Sequence, residues 1–99
     1  MNETKMLNLL GLAMRAGQVT SGDDMSEREI RSGRAALVLL DAGASDRTRD
    51  KYVTLCQGRG IRLHEVSADA LGRAIGKDGR IVAVVKKGPL AKQMATLLS

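Results

Sequence analysis

The side chains that could act as acids, bases, nucleophiles or ligands are few, and their placement does not suit catalysis. The single histidine, His64, lies inside the alternating stretch "IRLHEV". A lone histidine on a strand is more often a packing or surface residue than a general base. The single cysteine, Cys56, sits beside Leu55 on the apolar face of a predicted helix, which suits an inert buried thiol. Asp23 and Asp24 are adjacent, so on a helix they point about 100° apart and make a poor acid–base pair. No arrangement has metal-ligand spacing. The glycine-rich "GRAIGKDG", Gly72 to Gly79, runs from helix to strand and lacks the Gly-Lys-Ser/Thr ending of a nucleotide-phosphate loop. The expectation is a non-catalytic protein with no cofactor.

What remains is positive charge. The formal net charge is +5 over 99 residues, and such a surface attracts polyanions. Arg15, Arg28, Arg31, Arg34, Arg73, Lys77, Arg80, Lys86 and Lys87 lie near element ends and turns, not in one tail. With no Trp or Phe and one Tyr, there is no aromatic platform for stacking single-stranded bases. An RNA partner would therefore be structured, and recognised by shape, backbone and a few base edges. Arg73, Lys77 and Arg80 around flexible glycines suit a nucleic-acid backbone. No apolar run approaches the roughly 20 residues of a membrane span. The start "MNETKMLNLLGLAMRAG" does not read as a signal peptide, being broken by Asn8 and Gly11 and ending in Arg15. A lone cysteine excludes an internal disulfide. A cytoplasmic protein with no membrane partner is expected.

The elements that must position these cations follow from periodicity. One domain, 1–99, with an aliphatic core is expected from the length. A helix runs from about Glu3 to Ala16, with Met6, Leu10, Ala13 and Met14 on one face and Gly17 as its stop. "QVT" is a short strand. Ser21 or Gly22 caps a helix over roughly Asp23 to Ser32, closed by Gly33. "AALVLLD" is a continuous apolar run, as in a strand buried on both faces. Ser45 caps the next helix, with Thr48, Tyr52, Leu55 and Cys56 along one face and Gly58 and Gly60 at its end. "IRLHEV" is a half-buried strand. Ser67 is predicted to cap a short helix with Leu71, Ala74 and Ile75 inward. "GKDG" is a turn, "RIVAVV" a buried strand, and Gly88-Pro89 opens a last helix carrying Leu90, Met94, Leu97 and Leu98. Helices alternating with strands point to an α/β protein, a three-layer α/β/α sandwich.

The helix "DDMSEREIRS" has almost no apolar face, only Met25 and Ile30. Its acids lead and its bases follow, which complements the helix dipole, and Glu27 can pair with Arg31 at i, i+4. A solvated surface helix and a functional helix both fit this pattern. Here "LGLAMRAGQVTSGDDMSEREIRSGRAALVLLDAGASDRT", then "CQGRGIRL", "ALGRAIGK" and "IVAVV", resembles the small bacterial YlxQ-like branch of the kink-turn-binding ribosomal protein superfamily of archaea and eukaryotes. The resemblance covers almost the whole chain in order.

The resemblance implies a four-stranded mixed sheet between helices and binding to structured RNA, often a kink-turn with tandem G·A pairs. The superfamily motif at this helix start is Gly, a small residue, Asn, Glu, two residues, Lys. Gly22 takes the Gly position, Asp24 the Asn, Met25 the Glu and Arg28 the Lys. Arg28 keeps the charge that can hold a phosphate or a guanine edge. Asp24 can accept from a guanine but cannot donate as Asn does, and Met25 makes no hydrogen-bonded readout. The loop before the last strand, Gly76 to Arg80, is the second RNA contact that the resemblance implies. The expected RNA-binding residues are therefore Gly22, Asp23, Asp24, Met25, Arg28, Arg31, Lys77 and Arg80. The expected partner is structured RNA, such as rRNA, bound by a ribosome-associated monomer. A second reading is a protein–protein module on a ribosomal or transcription/translation partner, with Met25 an apolar anchor inside an acidic rim. A third is the recognition domain of an RNA-modifying enzyme whose catalytic part lies on another chain.

Overall fold

The structure, a computed structural model, describes residues 2–98. Nine elements alternate along the chain: α1 (Glu3–Arg15), β1 (Val19–Ser21), α2 (Asp23–Arg31), β2 (Ala35–Asp41), α3 (Asp46–Gln57), β3 (Arg62–Val66), α4 (Ala70–Ile75), β4 (Val82–Lys86) and α5 (Pro89–Leu97). The strands form one mixed sheet in the order β1-β4-β2-β3. β4 is antiparallel to both β1 and β2, and β3 runs parallel to β2. The α/β/α sandwich and the four-stranded mixed sheet both hold.

The run "AALVLLD" becomes β2 because nearly every side chain in it has an apolar place to go. Leu37 and Leu39 face one core, with Met6, Leu10, Leu71, Ala83, Val85 and Met94. Val38 and Leu40 face the other, with Ile30, Tyr52, Leu55, Cys56, Val82 and Val84. Strand alternation thus divides the helices into two layers. α1, α4 and α5 cover the first face, and α2 and α3 the second. β3 is one of the two outer strands, half-exposed along most of its length. It places His64 in the half-buried range, on the same side as Val66, with Nε2 unpartnered. Cys56 is buried, and desolvation raises its thiol above the ordinary value, as an inert packing residue requires.

Two local expectations are corrected. Ser67 does not cap α4. Its hydroxyl donates to Glu3 Oε2 at 2.6 Å and its N–H to Glu3 Oε1 at 2.9 Å, so it ties β3 to α1 instead. The residue preceding α4 is Asp69, held at φ 67°. In α5 the inward residues are Ala91 and Met94, and Leu90 is only half-buried. The helix begins at Pro89; Met94 is buried as expected and Leu97 and Leu98 pack against the same core, so only Leu90 gives way to Ala91. In α1 Met6, Leu10 and Ala13 are buried as expected, Gly11 joins them, and the half-buried Met14 packs against the same core.

Gly72 has a specific steric reason. A Cβ there would stand 2.7 Å from the carbonyl oxygen of Lys77, a backbone atom of the turn that leads to β4. The turn folds back tightly on α4, and Lys77 donates its N–H to Gly72 O at 2.9 Å. Gly72→Ala is expected to push this turn away and to lower stability by about 1–3 kcal/mol, the usual range for overpacking, read as a lower urea midpoint.

Candidate nucleic-acid interface

Strand direction decides what meets at each edge of the sheet. β1 and β2 end where β4 begins, since Ser21 pairs with Ala83 and Leu40 with Val82. β3 ends at the same edge, as Asp41 pairs with Val66. This upper edge therefore gathers the N-termini of α2, α3 and α4 and the turn before β4. Ligands of open α/β sheets bind at such strand ends.

Gly22 is the pivot of the edge. Its N–H donates to Val82 O at 3.1 Å and its carbonyl accepts from Ser26 N–H at 3.0 Å. It sits at φ 91°, where a side chain is strained. A Cβ there would fall 2.5 Å from Nη1 of Arg80. The Arg80 guanidinium thus lies directly against the start of α2. As N-cap, Gly22 offers no side-chain hydrogen bond. The first-turn N–H groups of α2 thus receive no side-chain cap, the condition under which a helix start can take an anion. Gly22, Asp23, Gly79 and Arg80 share one cleft, which Ser45 and Thr48 of α3 complete.

Asp23 is largely engaged within the protein. Tyr52 Oη donates to its carbonyl at 2.9 Å and to its carboxylate, and Lys51 Nζ reaches the carboxylate at 3.0 Å. The Tyr52 hydrogen bond first, then Lys51, holds the Asp23 carboxyl below its ordinary pKa of 3.8. Burial first, then Asp23, pushes the Tyr52 phenol upward. Lys51 also reaches Glu27 at 2.7 Å, and Glu27 pairs with Arg31 at 2.8 Å as the i, i+4 spacing predicted. Lys51 first, then Arg31, lowers the Glu27 carboxyl. These exposed pairs are screened and contribute little stability. Their effect is to fix the Glu27 and Asp23 charges against α3. Asp24, Glu27, Arg28 and Arg31 line a shallow groove along the outer face of α2. Met25 is 49% exposed beside it. Arg28, Lys77 and Arg80 form no ion pair among the described residues.

Of the eight expected residues, the structure brings Gly22, Asp23 and Arg80 into one cleft and Asp24, Arg28 and Arg31 into an adjoining groove. Met25 lies on the same first turn of α2. Lys77 is exposed on the turn before β4 and lines neither recess. The Tyr52–Asp23–Lys51 cluster escaped sequence reading, because only the fold shows that α3 packs beside the start of α2. Ser45 and Thr48, expected as cap and inner face, also line the cleft that holds Gly22 and Arg80. Asp41 was also missed, although a carboxylate closing an apolar strand is a visible signal. It is buried, and its Oδ1 accepts from Gly43 N–H at 2.8 Å and Asp69 N–H at 3.2 Å. That pair of bonds fixes the loop after β2 to the approach to α4.

The sequence pattern of the ribosomal protein L7Ae/L30e/S12e/Gadd45 family matches residues 4–95. This chain belongs to that family. Among its relatives is the RNA-binding protein YlxQ of Bacillus subtilis, 43% identical over 91 residues that span 91% of each chain. The RNA-binding protein YlxQ of Enterococcus faecium is 31% identical over 98 residues, covering 98% of this chain and 94% of the other. The resemblance to the YlxQ-like branch is thereby confirmed. A Bacillus halodurans protein described as of unknown function superposes with a TM-score of 0.88 at 36% identity, over 95% of this chain and 96% of that one. The Giardia lamblia 15.5kD RNA binding protein superposes with a TM-score of 0.82 over 97% of this chain and 82% of that one, which at 22% identity shows a shared fold.

Within this family frame, the Tyr52 hydroxyl is the tie between α2 and α3. Tyr52→Phe is expected to cost about 1 kcal/mol in urea unfolding at neutral pH. The sign of the pH effect follows from Asp23. Its folded pKa is lowered, so its stabilising contribution is present above 3.8 and is lost as pH falls through the folded value. The gap between wild type and Tyr52→Phe should therefore narrow as pH drops below 3.8.

Proposed function

We propose that this chain is a non-catalytic binder of structured RNA, docking an internal loop or kink-turn-like element on the upper edge of the sheet. The observation that carries this reading is the contact between Arg80 and Gly22. It joins the two segments that the family resemblance assigns to RNA, the start of α2 and the turn before β4. The relatives named as RNA-binding proteins support the ligand class.

In this reading the uncapped N–H groups of α2 and Arg28, Arg80 and Lys77, unpaired among the described residues, hold phosphates. Arg31 extends the cationic groove from Arg28. Asp24 accepts from the amino and imino groups of a guanine. Met25 packs an apolar surface on a base or sugar, and Asp23 holds the helix start in place through Tyr52. The RNA is rRNA or a ribosome-associated RNA, bound by a monomer in the cytoplasm. Met25 exposed between acids also fits the second reading, a protein–protein module. In that case a partner captured by the chain stays bound after complete RNase digestion.

Arg28→Ala and Arg80→Ala should each weaken binding to a stem carrying tandem G·A pairs by about tenfold and reduce the salt slope by about 1. Unchanged affinity and slope for both would remove the upper edge as the site. Asp24→Asn removes one carboxylate from the phosphate path and adds a donor. It should raise affinity for the same stem by about fivefold, in line with roughly 1 kcal/mol for two charges 4 Å apart in water. A gel-shift or anisotropy titration at fixed salt reads both effects.

A further inference from the structure

The charge excess of this chain does not lie at the upper edge. Asp23, Asp24, Asp41, Asp69 and Asp78 stand at that edge among its cations. The opposite, lower edge is formed by the starts of β2 and β3, the end of β4 and the C-termini of α2 and α3. Ala35 pairs there with Lys86 and Leu37 with Arg62, and Lys87 N–H donates to Arg34 O at 3.2 Å. A cleft between α2, β2 and the end of α3 is rimmed by Arg31, Arg59 and Lys87 and floored by Ile30, Ala35 and Ile61. Arg34 and Lys86 flank it in sequence.

Among the described residues, the acidic side chains near this edge are already committed. Glu27 pairs with Arg31 and Lys51. Glu29 is 8% exposed and takes Arg34 Nε at 2.8 Å. Among the described residues, Arg59, Lys86 and Lys87 form no ion pair. Arg59 and Lys87 are exposed, and Lys86 is half-exposed. An edge with cations in excess and its carboxylates paired steers polyanions toward it.

We propose that this lower edge is a second RNA contact, which takes the phosphate backbone of a double-helical segment without reading its sequence. The ligand class follows from the side chains. Arg and Lys at the rim hold phosphate oxygens, and no aromatic ring at the cleft offers stacking for an unpaired base. The two edges lie at opposite ends of the strands in a molecule measuring 27 × 25 × 24 Å. One chain can therefore hold a loop at one end and a helical arm at the other. The lower contact supplies salt-sensitive affinity, and the upper contact supplies selectivity. The proposal is independent of the upper-edge reading, since it predicts binding of duplex that has no loop at all.

The test is a titration of the full chain with two RNA probes, a plain duplex and a stem with tandem G·A pairs, over a series of potassium chloride concentrations. The variant is Arg59→Ala with Lys86→Ala and Lys87→Ala, and its melting temperature and circular dichroism confirm that it is folded. Affinity for the plain duplex is expected to fall by at least about tenfold, and the salt slope by about 3, roughly one for each lost phosphate contact. Arg59→Lys with Lys87→Arg keeps the charges and should keep the slope. Arg28→Ala should weaken the stem more than the plain duplex. If the triple variant folds and binds the duplex with wild-type affinity and slope, the proposal is overturned, and an acidic protein becomes the alternative occupant of the edge. If wild type prefers the stem no more than the duplex, the upper-edge reading fails while the triple variant still decides the lower one.

Discussion

The structure depends on one constraint, a central β2–β4 ladder that is apolar on both faces. A strand whose neighbouring side chains point to opposite sides can be dry throughout only if helices cover it twice. Leu37 and Leu39 require one layer, Val38 and Leu40 the other. Once both layers are in place, the strand backbone is paired within the sheet and the charged groups near it are left at the strand ends. The two edges of the sheet become the chemically active surfaces because the faces are occupied. Asp41 marks the boundary, a buried carboxylate where the dry strand stops and the loop begins.

Hydrogen bonds to neighbouring segments supplement the narrow burial of α2. Ser26, Glu29 and Ile30 are its buried residues, so its hold on the sheet is narrow. The Tyr52 hydroxyl and Lys51 fasten its first turn to α3, and Arg34 fastens Glu29 near its end. A helix secured this way keeps its outer face and its first-turn N–H groups free for a ligand. Acids beside that free end oppose an anion, so the cations Arg28 and Arg80 must outweigh Asp24 locally. The balance favours discriminating contacts over sheer attraction.

Much of the fold was legible because periodicity and punctuation agreed. The apolar run from Ala35, the Ser45 cap and the Gly88-Pro89 helix start all sit where their residues require, and Ser45 Oγ accepts Thr48 N–H at 3.1 Å. The failures share a cause. Ser67 resembles a cap but has a partner in Glu3, 64 residues away in sequence. A side chain with two possible partners is decided by tertiary distance, which local pattern does not carry. The candidate site divides in the same way. Gly22 and Arg28 could be found from the helix start. That Arg80 rests on Gly22, and that Tyr52 grips Asp23, are long-range facts. The asymmetry of charge between the edges was invisible for the same reason, since the cations look evenly spread along the chain.

The aliphatic composition has one more consequence. With no tryptophan and a single tyrosine, ultraviolet emission from this chain is the emission of Tyr52. That ring is buried beneath the first turn of α2, its hydroxyl shared between a backbone carbonyl and a carboxylate. The protein thus carries a built-in optical reporter at the junction of α2 and α3. Occupancy of the helix start, unfastening of that turn, and loss of the fold each alter the surroundings of the same phenol, without any label being attached.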